Sequence, residues 1–220
     1  MKKITAFLAL LMTVVCLLAS CGDKYTEEKM ALQGTWQGTM DVTEQANEEL
    51  HDTFLSLMGK TDRRSKDILR SFDELQLTVL LTIDPDGCYH LEVSEASVQE
   101  CFRRAQLLSK GMVADYCRRV MDDAGKDVLP EDMVEAAGVP LDRVDQQLDE
   151  RFNAPKVRAA VHRLRQEGYC TVSGEGLELA DESGAQAHTV CGYTLEEGVL
   201  KLETIEGELP DFCPDTLVKI

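Results

Sequence analysis

From residue 169 onward the chain is a succession of short alternating runs, at 169–173, 177–180, 188–195, 199–205 and 216–220. Between them stand Gly174-Glu175-Gly176, Glu182-Ser183-Gly184, Glu196-Glu197-Gly198 and the stretch 207–214. Alternation sends successive side chains to opposite faces of a strand. Turn signals about every eight to twelve residues leave no room for crossover helices, so this segment reads as an antiparallel meander. Three earlier strands join it. LQGTWQGTMDV occupies 32–42, and LQLTVLLTI at 75–83 faces CYHLEV at 88–93 across Asp84-Pro85-Asp86-Gly87. Pro pre-sets φ and Gly tolerates positive φ, which makes this pair the clearest hairpin. Eight strands in all suit a small closed barrel whose interior holds side chains or one ligand.

Helical spacing fills two gaps, one after the first strand and one between the third and the fourth. Leu50, Phe54, Leu57 and Met58 form the apolar stripe of a helix within 43–74. Within 94–123, Val98, Cys101, Phe102, Ala105, Leu108, Met112, Tyr116, Cys117 and Val120 recur at steps of three and four, with Ser94 as N-cap and Gly111 as a point of bending. Shorter helices follow at 131–137 and 141–152, separated by Gly138-Val139-Pro140. Pro155 opens another at N1, with Val157, Ala160, Val161 and Leu164 on its apolar face and Gly168 as its end. The fold class is α+β: an antiparallel barrel or meander in one domain, 32–220, with helical insertions at about 43–74 and 94–167. Its expected core is Trp36, Leu77, Val79, Leu81, Ile83, Leu91, Val93, Leu177, Leu179, Leu200 and Leu202, with the apolar helix faces.

The beginning of the chain carries an address. Lys2 and Lys3 precede an apolar stretch at 4–18, shorter than the ~20 residues a membrane-spanning helix needs. That is the pattern of a cleaved signal peptide, 1–20. Leu18-Ala19-Ser20-Cys21 resembles the lipobox of bacterial lipoproteins. It implies cleavage before Cys21 and a diacylglyceryl thioether on that residue. Two acyl chains anchor stably where one does not. The expected location is therefore the extracytoplasmic face of a bacterial membrane, with residues 21–31 as a polar tether.

Removing the two signal lysines leaves 21 basic residues against 40 acidic ones, a net charge of −19. Such a surface repels phosphate, so no nucleic acid is expected as a partner. Six cysteines remain beyond Cys21: Cys88, Cys101, Cys117, Cys170, Cys191 and Cys213. An even number outside the cytoplasm permits disulfides; buried free thiols are the alternative. Cys101 and Cys117 would stand about 24 Å apart on one unbroken helix and so would not pair.

GTW at 34–36, the DPDGCYHLEV hairpin at 84–93, and the phrases GYCTVSGEGLEL and GYTLEEGVLKL at 168–179 and 192–202 resemble the lipocalin-like lipoproteins of bacteria. The resemblance covers the β parts and implies a lipocalin-like barrel. It also implies that Trp36 closes the barrel base. In lipocalins an arginine near the last strand covers that ring; this chain offers Lys219 there.

Other constellations carry less chemistry. The segments 134–152 and 156–173 have the outline of a helix-turn-helix and a winged helix, but two helices joined by a glycine turn is also how helices simply pack. Basic runs at Arg63, Arg64, Lys66 and Arg70, at Arg103, Arg104, Lys110, Arg118 and Arg119, and at Lys156, Arg158, His162, Arg163 and Arg165 read as solvated helix faces with acids nearby. His90 and Glu92 share one face of a strand. The four histidines, 51, 90, 162 and 188, lack metal-ligand spacing. Asp122-Asp123 and Glu131-Asp132 read as loop or helix-start acids. No nucleophile elbow, phosphate loop or metallohydrolase motif occurs; the expectation is no enzyme, no cofactor and no metal. Two functions follow. The leading expectation is a tethered protein that holds a small apolar ligand or cell-envelope component in the barrel, which calls for a cavity of roughly 300 Å³ or more. The other is a structural or protein-interaction lipoprotein of the envelope whose barrel is solid.

Overall fold

The computed structural model describes residues 26–58, 63–125, 141–181 and 188–220. The signal segment, the lipobox with Cys21, the expected helix at 131–137 with Glu131-Asp132 and the break after it, and the turn at 182–184 lie outside the described residues.

Eight strands close into an antiparallel barrel in sequence order. They are β1 (Gly34–Asp41), β2 (Gln76–Ile83), β3 (Cys88–Val93), β4 (Arg165–Ser173), β5 (Gly176–Asp181), β6 (His188–Glu196), β7 (Val199–Glu206) and β8 (Thr216–Lys219). The ring is completed where Trp36 pairs with Lys219 and Gln37 with Val218. Burial alternates as the sequence pattern requires: Leu77, Val79, Leu81 and Ile83 point inward on β2, and Tyr89, Leu91 and Val93 on β3. The β2–β3 turn works as its residues predict. Gly87 sits at φ +92°, its N–H reaches Asp84 O at 3.0 Å, and the Asp86 carboxylate accepts from Cys88 N at 3.0 Å. At the β6–β7 turn, Glu197 and Gly198 both take positive φ, 49° and 81°, the geometry that matches strand twist in a two-residue hairpin.

The helices are α1 (Thr26–Leu32), α2 (Thr43–Met58), α3 (Arg63–Asp67), α4 (Glu95–Asp123), α5 (Leu141–Arg151) and α6 (Ala154–Arg163). Asn153 caps α6 by accepting from Lys156 N, with Pro155 in the first turn. A second apolar cluster, separate from the barrel's, gathers Leu50, Phe54 and Met58 of α2, Met112, Val113, Tyr116 and Cys117 of α4, and Val144 and Leu148 of α5. The insertions thus carry a core of their own. Ion pairs stitch its rim: Arg64–Asp123, Arg119–Asp67, Lys110–Asp145 and Arg151–Glu49, with Asp115 held between Arg70 and Arg118. Burial opposes ionisation of Asp115, yet the two guanidiniums hold its carboxyl below the usual range. Exposed pairs of this kind contribute little individually.

Four expectations change. Residues 26–31 are not extended tether and Leu32 does not begin a strand: together they form α1, with Glu27 and Glu28 in the first turn and Lys29 in the last, each favourable to the helix dipole. Gly111 does not bend α4, which runs unbroken through it; a Cβ there would meet Arg70 Nη1 at 2.6 Å, so the glycine makes room for the arginine that reaches Asp115. Asp122 and Asp123 lie in the last turn of that helix, not in a loop or at a helix start, and Asp123 is matched by Arg64. Gly168 does not end a helix. The last helix stops at Arg163, and β4 begins at Arg165 and passes through Gly168. The reason is steric: a Cβ on Gly168 would stand 1.9 Å from Ala180 O on the neighbouring strand. Ser94 does precede α4, but its side chain makes no capping bond; instead Thr78 N donates to Ser97 Oγ at 3.2 Å.

Gly168→Ala should therefore destabilise the barrel by about 1–3 kcal/mol or more, the range of forced overpacking. Urea unfolding followed by far-UV circular dichroism measures it, and an unchanged midpoint would contradict the packing described at β4–β5.

Candidate functional site: the barrel interior and its two ends

The interior is built by the alternate residues of every strand. Trp36, Leu81, Tyr89, Leu91, Cys170, Leu177, Leu179, Cys191, Leu200, Leu202 and Leu217 belong to one contiguous apolar cluster. All eleven expected core residues are buried in it, and Tyr89, Cys170, Cys191 and Leu217 join them. An eight-stranded barrel has an interior just wide enough for side chains to fill, and these are large ones.

One end is closed around Trp36, which is 0% exposed. Its indole N–H donates to Leu32 O at 2.7 Å. Lys219 Nζ stands 5.0 Å from the ring centroid and donates to Ala31 O at 3.0 Å. A cation over a tryptophan face is attracted by the ring quadrupole. Helix α1 is fixed across this end by those two bonds and by Tyr193 Oη, which donates to Glu28 at 3.0 Å. At the opposite end, Val98, Cys101 and Phe102 of α4 and Val157, Ala160 and Val161 of α6 pack on the barrel cluster, as do Leu209, Phe212 and Cys213 from the β7–β8 connection. The helices cover the mouth and also build their separate core.

Tyr89 brings a polar group into the interior. It is 0% exposed and its hydroxyl has no hydrogen-bond partner. Burial, and then the Asp181 carboxylate, push its pKa from 10.0 up to about 12. Burial shifts the thiols in the same direction. Burial raises Cys170 to about 11 and Cys213 to about 12, and it also raises Cys101, Cys117 and Cys191. Thiol chemistry needs the thiolate, so these are packing groups. Cys101, Cys117, Cys170, Cys191 and Cys213 are free thiols in the structure, while Cys88 lies half-buried at the outer start of β3. Of the alternatives for the cysteines, buried free thiols are found at Cys117, Cys170 and Cys191, and half-buried ones at Cys101 and Cys213.

Outside the barrel, His90 lies between Asp84 and Glu167, at 3.5 and 3.4 Å. Glu92 shares its strand face but pairs across from Arg165. His51 contacts Arg70 O at 3.1 Å, and His162 sits in the last turn of α6. Among the described residues no His, Cys, Asp and Glu group has metal-holding geometry. The basic runs are scattered among acids: Arg103 is bound by Glu100 and Arg165 by Glu167. The outline of a winged helix dissolves, because its strand is β4, in the ring between β3 and β5. The first helix of the helix-turn-helix outline lies outside the described residues. Among the described residues, two open surface depressions lie between Glu28 and Ala31 of α1 and the Ser173–Gly176 turn, and along Asp41, Glu44, Glu48 and His51. The sequence offered no signal for the Tyr89 hydroxyl, since a tyrosine in a strand is normally half-exposed or paired. No family model, no curated protein and no solved structure matches this chain.

Because the folded state holds the phenolic proton more tightly than the unfolded chain, this contribution of Tyr89 to stability is complete below pH 10 and is lost as the pH rises towards 12. Tyr89→Phe should make the alkaline loss shallower. At pH 7 it should cost less than about 0.5 kcal/mol or stabilise, since a hydroxyl without a partner contributes nothing to lose. Urea unfolding across pH 7–12 checks both. A loss above about 1 kcal/mol at pH 7 would mean that the hydroxyl is satisfied by a bound group.

Proposed function

We propose that this protein is a bacterial lipoprotein with a lipocalin-like barrel, held on the extracytoplasmic face of a membrane by a diacylglyceryl group on Cys21, and that its barrel is a packed body presented to other envelope components. The observation that carries the second half is the contiguous apolar cluster contributed by all eight strands and covered at both ends. A carrier needs an entrance and a dry space; here Trp36 with α1 occupies one end, and α4 and α6 occupy the other. The processed charge of −19 fits a well-hydrated body that meets protein or neutral envelope components rather than nucleic acid. The lipobox and the two lysines before the apolar stretch support the anchor. No residue is assigned a catalytic role.

The carrier reading retains one specific observation in its favour. The Tyr89 hydroxyl inside the barrel is buried without a partner, and buried polar groups normally have one. A small apolar ligand with one hydrogen-bonding atom would supply it.

Native mass spectrometry of the processed chain with Cys21→Ser, purified without detergent, separates the two. The packed-body reading predicts the bare chain mass. A stoichiometric adduct that leaves on denaturation would overturn it in favour of the carrier.

A further inference from the structure

We propose that the α1 end of the barrel is a lipid-facing surface: in the anchored protein, Met30, Val218 and Ile220 lie against the bilayer that holds Cys21, and the helical layer points away from it. This rests on the lipid-anchor reading above and extends it to an orientation. The linker between anchor and fold is short. Only residues 22–25 separate Cys21 from the first residue of α1, a reach of at most about 18 Å when extended. α1 is no free arm. Leu32 is buried, Ala31 O accepts from Lys219, and Glu28 accepts from Tyr193. The restraint at Cys21 therefore acts on the whole barrel, and on this end of it.

The same end exposes large apolar side chains. Met30 is 62% exposed, Val218 50% and Ile220 69%. They share one edge, because Lys219 binds Ala31 O, Ile220 N donates to Thr35 O at 3.1 Å, and Val218 pairs with Gln37. Apolar side chains grouped where a lipid tether leaves the fold suit the interfacial region of a bilayer. The charges set the conditions. The turns at this end carry Asp84, Asp86, Glu175, Glu196 and Glu197, which are repelled by anionic headgroups. The contact is therefore with neutral lipid and depends on the anchor. Leu107, 55% exposed on α4 of the helical layer, serves as the control far along the chain from the tether.

The test is hydroxyl-radical footprinting, read by peptide mass spectrometry, of the full lipidated protein in phosphatidylcholine nanodiscs against the soluble Cys21→Ser form. Oxidation of Met30 should fall at least several-fold in the nanodisc, with Val218 and Ile220 following, while Leu107 is unchanged. Soluble protein mixed with phosphatidylcholine vesicles should show no protection. Equal oxidation of Met30 in both forms, with the intact mass confirming diacylglycerol on Cys21, overturns the orientation and leaves the anchor standing. An intact mass without diacylglycerol overturns the anchor reading itself, and the orientation with it.

Discussion

Everything in the barrel depends on how Trp36 is held. It sits where the first strand meets the last, and its backbone pairs with Leu81 on one side and Lys219 on the other. Its indole N–H ties it to Leu32, and the Lys219 ammonium covers the ring face. One side chain thus joins ring closure, the seating of α1 and the packing of the core. A polar N–H inside an apolar cluster would be costly if unmet. The carbonyl of Leu32 meets it, and in doing so fixes the last turn of α1 against the barrel. The lysine makes the same choice twice, since its ammonium serves both the ring and Ala31 O.

The second constraint is that the helices do not merely decorate the sheet. α2, α4 and α5 bury Leu50, Phe54, Met112, Tyr116 and Leu148 among themselves, while the first turns of α4 and the apolar face of α6 bury theirs on the barrel. α4 belongs to both cores, and its 29 residues give a rigid link about 43 Å long. Closing the mouth and building the helical layer are therefore one structural decision. That coupling weighs against a vessel that opens and closes at that end, and in favour of a solid body with an extended outer surface.

Strand alternation and turn chemistry made most of the barrel legible in the sequence. The β2–β3 hairpin, the late meander and the buried set from Trp36 to Leu202 follow from period-two patterning, which a buried face enforces strictly. The place of the Lys219 ammonium over the Trp36 ring was not legible, because spacing and periodicity do not show which cation reaches a ring on another strand. What was not legible depends on contacts made at a distance. Gly168 reads as a helix terminator locally, but Ala180 O on the next strand requires the glycine. Gly111 reads as a bend, but an arginine from the segment after α3 needs the space. Residues 26–31 read as polar tether, and Leu32 as the start of a strand, because a helix of 7 residues is too short to declare itself; it exists by docking on Trp36. The Tyr89 hydroxyl became visible only once the neighbours of its strand were known.

Trp36 closes the barrel and is the one tryptophan of the chain, so its fluorescence reports on that closure alone. The most direct measurement is the emission of Trp36 in the soluble Cys21→Ser form, with acrylamide quenching, followed through urea unfolding beside far-UV circular dichroism. A buried Trp36 that holds the ring closed gives blue-shifted emission that is poorly quenched and is lost in the same transition as the β signal. Water-exposed emission in the native protein, or loss of burial well before the sheet melts, would contradict it.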